Sequence, residues 1–470
     1  MPLADGNPPL TRPGREGTAP SWRSPENTFL LLALLFGLAF VAVVPPLDPP
    51  DENYHLARVF LLSEGRLSLP GRAPGYEASI PRSLTALHAP REHRDFEWRH
   101  PVAEVAEMFG KPLDPDSRVS VYGVALYSPF VYAAPATVMA MGRPLGLSAV
   151  ALLYLGRIAN LVFWVAATWL AIRLAPCRKW TLTVLSLTPM SVSQAASLSA
   201  DPPTNAVALL LLVVVARTWA PSTRPLSYLE AFGFVALGAL LGLVKAGYWP
   251  LAALLLLIPP RRFGARWQYP ALLLATALCM AISTIAWIAV VRAADPPLKS
   301  IADPAQQLAL ILDHPLVLPG VLLSTIPKYG LFYIESFIGI LGHLVVVLPW
   351  AVYVAYGGLL AATAAIERDQ VGLLDRRKRA FLLLLFVGTT ILAMTMGYVG
   401  WTPVGAPQVY GFQGRYLAPL APLLFLAVPA LPERWSPVRE PRAAWVASGC
   451  AAILAIAVVE TARSFFLPPW

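Results

Sequence analysis

TFLLLALLFGLAFVAVVPPLDPPDENYHLARVFLLSEGRL, residues 28–67, joins an unbroken apolar run to a polar segment with almost no transition. The apolar part is close to the roughly 20 residues that cross a bilayer as a helix. It stops at two proline pairs, and Asp51 and Glu52 follow at once. Similar apolar runs recur at 272–291 (LLLATALCMAISTIAWIAVV) and 382–399 (LLLLFVGTTILAMTMGYV). Over the full 470 residues, 57% are hydrophobic and 13% charged, where soluble domains carry about 25% charged residues. A fold with water on every side is excluded, and the pattern predicts an all-α, polytopic transmembrane protein. The 47 prolines and 31 glycines sit mostly beside the apolar runs, as at span ends and broken helices. Cys177, Cys279 and Cys450 show no CxxC spacing, so neither a disulfide framework nor a metal knuckle is indicated. The formal net charge of +9 reads first as a positive-inside signal of a membrane protein and not as a nucleic-acid footprint.

Residues 1–27 are expected to be a disordered cytoplasmic tail, with Arg12, Arg15 and Arg23 ahead of a retained first span, and residues 28–470 one transmembrane domain. The spans expected are 28–46, 152–172, 180–198, 204–220, 227–245, 247–260, 270–292, 337–362, 380–399, 416–431 and 443–461, about 11 in a range of roughly 10–13. In this arrangement the inner connections hold Arg173, Arg178, Lys179, Arg217, Arg224, Arg261, Arg262, Arg266, Arg368, Arg376, Arg377, Lys378, Arg379, Arg434, Arg439 and Arg442. The outer ones after residue 172 hold only Lys245, Lys299, Lys328, Arg415 and Arg463. A full crossing by residues 121–141 inverts this bias, so a half-inserted or interfacial helix is expected there. The extracytoplasmic face then gains a long loop over 47–150, an interfacial segment over 295–336 broken by Pro304, Pro315 and Pro319, and a loop over 400–415.

Function is expected where ordered loops are long. Asp51, His55 and Arg58 stand at i, i+4 and i+7, one face of a helix, and supply a base and a phosphate partner. Capping of the helix by Asp51 and Glu52 is the other reading of the acidic pair. Asp201, between two apolar runs, falls on the same outer side, as do Lys245 with Tyr248 and Trp249, and Arg415 flanked by Gln413 and Tyr416. Membrane-edge acids are costly and so mark function by default, while a snorkelling lysine and an interfacial arginine are the plainer alternatives. Glu335 and His343 flank a small-residue turn, for which helix packing is the simpler account.

An acidic pair directly after the first span, a long outer loop, a second acid after a later span and about 11 spans together resemble the GT-C superfamily of glycosyltransferases. Three passages, PPDENYHLARVFLLSEGRL, YIESFIGILGHL and VYGFQGRYLAPLAPLLFLA, are more narrowly similar to a family of predicted bacterial membrane proteins of unassigned function placed near that superfamily. The likeness runs from about residue 28 to 460. It implies transfer of a sugar from a polyprenyl-phosphate donor to a glycan, lipid or protein acceptor at the extracytoplasmic face of a bacterial plasma membrane. Asp51 or Glu52 is then the catalytic carboxylate. Arg415 holds the donor phosphate with help from Lys245, and His55, Arg58, Asp201, Tyr248, Gln413 and Tyr416 lie in the substrate site. Some GT-C enzymes use a divalent metal and others none, and no strict ligand spacing here demands one. A transporter or flippase of a lipid-linked saccharide is the alternative, against which stand the lack of internal repeats and of midplane charges.

Overall fold

The computed structural model describes residues 23–67, 78–87, 102–121, 127–222, 224–292, 302–369, 372–435, 438 and 440–466. Nearly all of the expected tail, with Arg12 and Arg15, lies outside them. The chain is an all-α polytopic membrane protein whose helices run α1 (Pro25–Val43), α2 (Glu52–Ser63), α3 (Arg82–Thr85), α4 (Val102–Phe109), α5 (Ala133–Gly142) and α6 (Ala149–Leu174). They continue through α7 (Lys179–Ser186), α8 (Pro189–Ala195), α9 (Asp201–Arg217), α10 (Tyr228–Leu243), α11 (Gln268–Arg292) and α12 (Pro304–Asp313). The last are α13 (Val317–Ile338), α14 (Trp350–Ile366), α15 (Arg376–Trp401), α16 (Ala421–Ala427) and α17 (Ala443–Phe466). Among the described residues the strands form two short antiparallel pairs, β1 (Ala78–Pro81) with β2 (Arg118–Val121) and β3 (Ile340–Leu341) with β4 (Val346–Val347).

Among the described residues six helices, α1, α6, α11, α13, α15 and α17, are long and apolar enough to cross a membrane. Burial sorts three of them: over half of α6 is buried, against 11% of α11 and 17% of α13. Exposed residues such as Leu274, Leu278, Ile282 and Ile285 on α11, and Leu323, Ile326, Leu331 and Ile334 on α13, make a belt too apolar for water and suited to lipid tails. Inside the belt, α9 is buried on almost every side and divides two cores, one with α2, α5 and α10 and one with α1, α14 and α17.

Several expected spans are discontinuous. The segment 180–198 divides into α7 and α8 at Thr188–Pro189, since the residue before a proline avoids the helical region and Thr188 Oγ1 caps α8 by accepting from Ser191 N at 2.9 Å. The segment 247–260 is a 3-10 helix with Pro250 inside it, and 416–431 holds only the seven-residue α16. α5, with 10 residues, is about 15 Å long, half the hydrocarbon thickness, which fits the half-inserted helix. Within 295–336 the chain does break at Pro315, between α12 and α13, whereas Pro319 sits in the first turn of α13, where no helical N–H is required; α13 lies against the expected outer loop through Ser324, Thr325, Lys328 and Ser336.

The ends of the helices differ in charge. At one end Arg178 donates to the carbonyls of Ala364 and Val428, Arg379 to those of Leu426 and Val428, and Arg217 to that of Leu174. There Glu367 closes the N-terminus of α7 by accepting from Trp180 N and Thr181 N at 2.8 and 2.7 Å. Asp51, Asp201, Lys245 and Arg415 lie at the other end of the same helices, so the charge grouping read from the sequence is reproduced as a grouping by bundle end.

α10 and α11 form the closest helix pair. A Cβ on Gly242 would stand 2.5 Å from Met280 O, and one on Gly238 would stand 2.2 Å from Thr276 Cγ2. The close approach lets Ser283 and Thr284 donate across to the carbonyls of Ala239 and Gly242 at 2.9 and 3.0 Å, as small residues allow between membrane helices. Gly242→Ala therefore lowers stability by about 1–3 kcal/mol, measured as the melting temperature in detergent. Gly233→Ala, on the same helix with nothing near its Cβ, leaves it unchanged or raises it.

Candidate functional site

The site is built on the corner between α1 and α2. Pro45, Pro46, Pro49 and Pro50 prevent helix there, and Leu47 and Asp51 both take the left-handed conformation, at φ 65 and 62°. Such residues cost on the order of 1–2 kcal/mol each and persist where the surroundings fix them. The fixing group is a sealed ion pair: Arg157 of α6 donates to Glu52 through Nε at 2.9 Å and Nη2 at 2.6 Å, and both side chains are fully buried. Arg157 also donates to the carbonyls of Val44 and Pro45 at 2.6 and 2.8 Å, and Glu52 accepts from Leu47 N and Leu198 N, each at 3.0 Å. Glu52 thus has both oxygens spent on holding the corner and no route to a substrate. The acidic pair divides, with Asp51 alone facing outward, its side chain 52% exposed.

Asp51 meets residues from three distant parts of the chain. Arg415 Nη2 lies 3.4 Å from Asp51 Oδ2, and Arg415 Nε lies 3.8 Å from Asp201 Oδ2, within ion-pair range but too long for a hydrogen bond. Lys245 pairs with Asp201 Oδ1. Two acids and two cations form one near-neutral chain, Asp51–Arg415–Asp201–Lys245, in which the last three side chains are largely buried. Tyrosines close it in: Lys245 Nζ lies 4.9 Å from the ring centre of Tyr416 and 5.3 Å from that of Tyr127, and Tyr248 OH donates to Tyr416 O at 2.8 Å. Gln413 is half-buried beside Arg415 and its Oε1 accepts no hydrogen bond.

Local structure explains these placements. Asp201 opens α9 ahead of Pro202 and Pro203, and Lys245 sits where α10 gives way to the 3-10 helix at Ala246. Arg415 rides on a 3-10 turn, Gly414–Leu417, pressed on α13. A Cβ on Gly414 would stand 1.8 Å from Tyr333 O and 2.5 Å from Phe337 N, so only glycine fits, and Gly414 N donates to Ser336 Oγ at 2.8 Å.

Asp51, His55 and Arg58 do not act as one face. Asp51 is the residue before α2 and not part of it, and His55 turns to Tyr132, with Nδ1 2.5 Å from the hydroxyl, and stacks on Tyr127. Burial drives the His55 pKa down to about 4, a shift that Asp51 opposes and Lys245 reinforces, so the imidazole is neutral near pH 7. Arg58 turns away to the carbonyl of Leu67 and the ring of Trp287. Glu335 on α13 and His343 between β3 and β4 bond to none of the four charged residues. The residues do not fit a divalent cation either, because Arg415 already stands between the two aspartates and Lys245 on the second. Among the described residues no group of three or more His, Cys, Asp or Glu converges as a metal site.

Arg157, Tyr127 and Tyr132 were not singled out from the sequence. Arg157 did carry a signal, an arginine inside the apolar run LLYLGRIANL, where an unpaired charge is costly. The tyrosines carried none, being ordinary near a membrane interface.

These features define a multi-pass helical membrane protein with a charged, tyrosine-walled cluster at one end of its bundle. The chain belongs to the family described as predicted membrane protein (DUF2142), whose sequence profile matches residues 34–424 and so takes in every member of the cluster from Asp51 to Tyr416. Comparison with curated proteins and with solved structures finds no match to either.

Two outcomes follow from this geometry. Arg157→Met or Glu52→Gln alone leaves a buried charge or donor unmet and costs about 3–5 kcal/mol, whereas the paired change Arg157→Met with Glu52→Leu costs less than either, as thermal melting in detergent will show. His55 titrates near 4 folded and near 6.5 unfolded, so the unfolded chain takes the proton first. Stability is then level above pH 6.5 and falls by up to about 3 kcal/mol between pH 6.5 and 4; His55→Gln flattens that part of the melting-temperature profile.

Proposed function

We propose that the protein is a membrane glycosyltransferase that moves a sugar from a polyprenyl-phosphate donor to an acceptor hydroxyl. The observation that carries this reading is the meeting of Asp51 and Arg415, 364 residues apart in the chain, at 3.4 Å, with the carboxylate half-exposed and the guanidinium buried. An open carboxylate next to a fixed cation is what a displacement at phosphate-bound carbon requires. Asp51 takes the acceptor's proton as the acceptor oxygen bonds to the anomeric carbon. The bond from that carbon to the phosphate oxygen breaks, and its electron pair stays on the phosphate, where Arg415 meets the growing negative charge. Lys245 and Asp201 hold Arg415 in place and keep the site near neutral before the donor arrives. Glu52 is not the base in this scheme, since Arg157 and two backbone amides occupy it.

The same reading puts the cluster on the extracytoplasmic side of a bacterial plasma membrane, with the N-terminus in the cytoplasm. Support comes from the basic connections gathered at the opposite end of the bundle, the side that faces the cytoplasm under the positive-inside rule. Glycan, lipid and protein hydroxyls all suit the role of acceptor. One feature favours a transporter instead: Asp201 and Lys245 both sit at helix breaks, as substrate-binding charges do in transporters.

The two readings separate in one experiment. Purified protein given a radiolabelled polyprenyl-phosphate sugar and an acceptor extract releases free carrier and labelled product. Asp51→Asn lowers that turnover by about 10²–10⁴, while Lys245→Arg lowers it far less. Full turnover in Asp51→Asn defeats the assignment. Label that crosses a sealed vesicle still attached to its carrier shows transport.

A further inference from the structure

Arg58 is fully buried, yet of its three guanidinium nitrogens only Nη2 has a hydrogen-bond partner, the carbonyl of Leu67 at 3.0 Å. Nε and Nη1 have none, and no carboxylate lies within ion-pair distance among the described residues. The other sealed arginines of this fold are better met, although Nε of Arg178 and of Arg415 also lacks a hydrogen bond. Arg157 holds Glu52 bidentately, Arg415 lies between Asp51 and Asp201, and Arg178 donates to two carbonyls in the field of Glu367. A buried charge with unspent donors costs several kcal/mol and is retained where an anion from outside completes it.

The surroundings say which anion. The guanidinium carbon lies 5.4 Å from the ring centre of Trp287, on α11, the least buried of the long apolar helices. Leu67, whose carbonyl Arg58 bonds, is itself 60% exposed. A planar fork held against an indole at the lipid-facing margin suits two oxygens of one phosphate. Arg58 lies six residues beyond Glu52 along α2, about 9 Å, and is directed to Leu67 and Trp287, neither of which is a partner of Arg415.

We propose that Arg58, backed by Trp287, is a phosphate-binding subsite distinct from the Arg415 cluster and open towards the lipid side of α11. The subsite is independent of glycosyl transfer, because it concerns binding and not turnover.

The test is a melting and titration series on the full chain in a phosphate-free detergent, with farnesyl phosphate, inorganic phosphate and farnesol as probes. Farnesyl phosphate raises the melting temperature of the unaltered protein and farnesol does not. Arg58→Met, which removes the unmet charge, melts at or above the unaltered protein without a probe and shows a smaller farnesyl phosphate shift, the remainder belonging to Arg415. Arg58→Lys keeps the charge but not the fork and binds at least about tenfold more weakly. Arg415→Gln, which removes the phosphate partner of the reaction centre, keeps the Arg58-dependent part of the shift, and that separates the two sites. A shift with inorganic phosphate as large as that with farnesyl phosphate assigns the subsite to free phosphate; a smaller one assigns it to a lipid headgroup. No shift in the unaltered protein, or the same shift in Arg58→Met and Arg58→Lys, overturns the proposal.

Discussion

The Glu52–Arg157 pair is the interaction on which the rest of the charged end depends. An ion pair with no access to water must satisfy every lone pair and proton locally, and this one does so with the backbone of the corner itself. The carbonyls of Val44 and Pro45, left over where α1 stops, become ligands of Arg157. The amide of Leu47, in a conformation a leucine rarely adopts, becomes a ligand of Glu52. The stabilisation of the buried pair offsets the strain of the turn, and the turn in turn aims Asp51. One residue of an acidic dipeptide therefore builds the scaffold while its neighbour is left open.

The second constraint is charge balance. Asp201 lies against two cations and Arg415 against two acids, so removing any one member leaves a buried charge exposed to its opposite imbalance. The tyrosine rings around Lys245 present their negative faces to the ammonium and keep water out without adding a formal charge. Asp51 is the only member with substantial solvent contact, which makes it the place where an incoming group meets the cluster first.

Much of this was legible in the chain. The apolar runs specified an all-α membrane protein, and of the Lys and Arg assigned to the inner connections Arg178, Arg217 and Arg379 meet helix ends away from Asp51. The same grouping brought Asp51, Asp201, Lys245 and Arg415 together across hundreds of residues. Three things were not legible, each for a physical reason. Helical periodicity placed Asp51, His55 and Arg58 on one face, but a left-handed residue at Asp51 starts the helix one position later and the side chains diverge. Of the prolines read as breaks in 295–336, Pro315 does part α12 from α13, while Pro304 and Pro319 sit in first turns, where a proline interrupts nothing. The different fates of Asp51 and Glu52 depend on an arginine a hundred residues away, and no local pattern around the dipeptide encodes that partner.

Gly414 gives the cluster a mechanical property. The turn carrying Arg415 rests on α13 with Gly414 against the backbone at Tyr333 and Phe337, and α13 itself is mostly exposed along its length. A tilt or slide of α13 is therefore passed on to the guanidinium with little to damp it, and the spacing between Arg415 and Asp51 becomes a gauge of how that helix sits against the bundle.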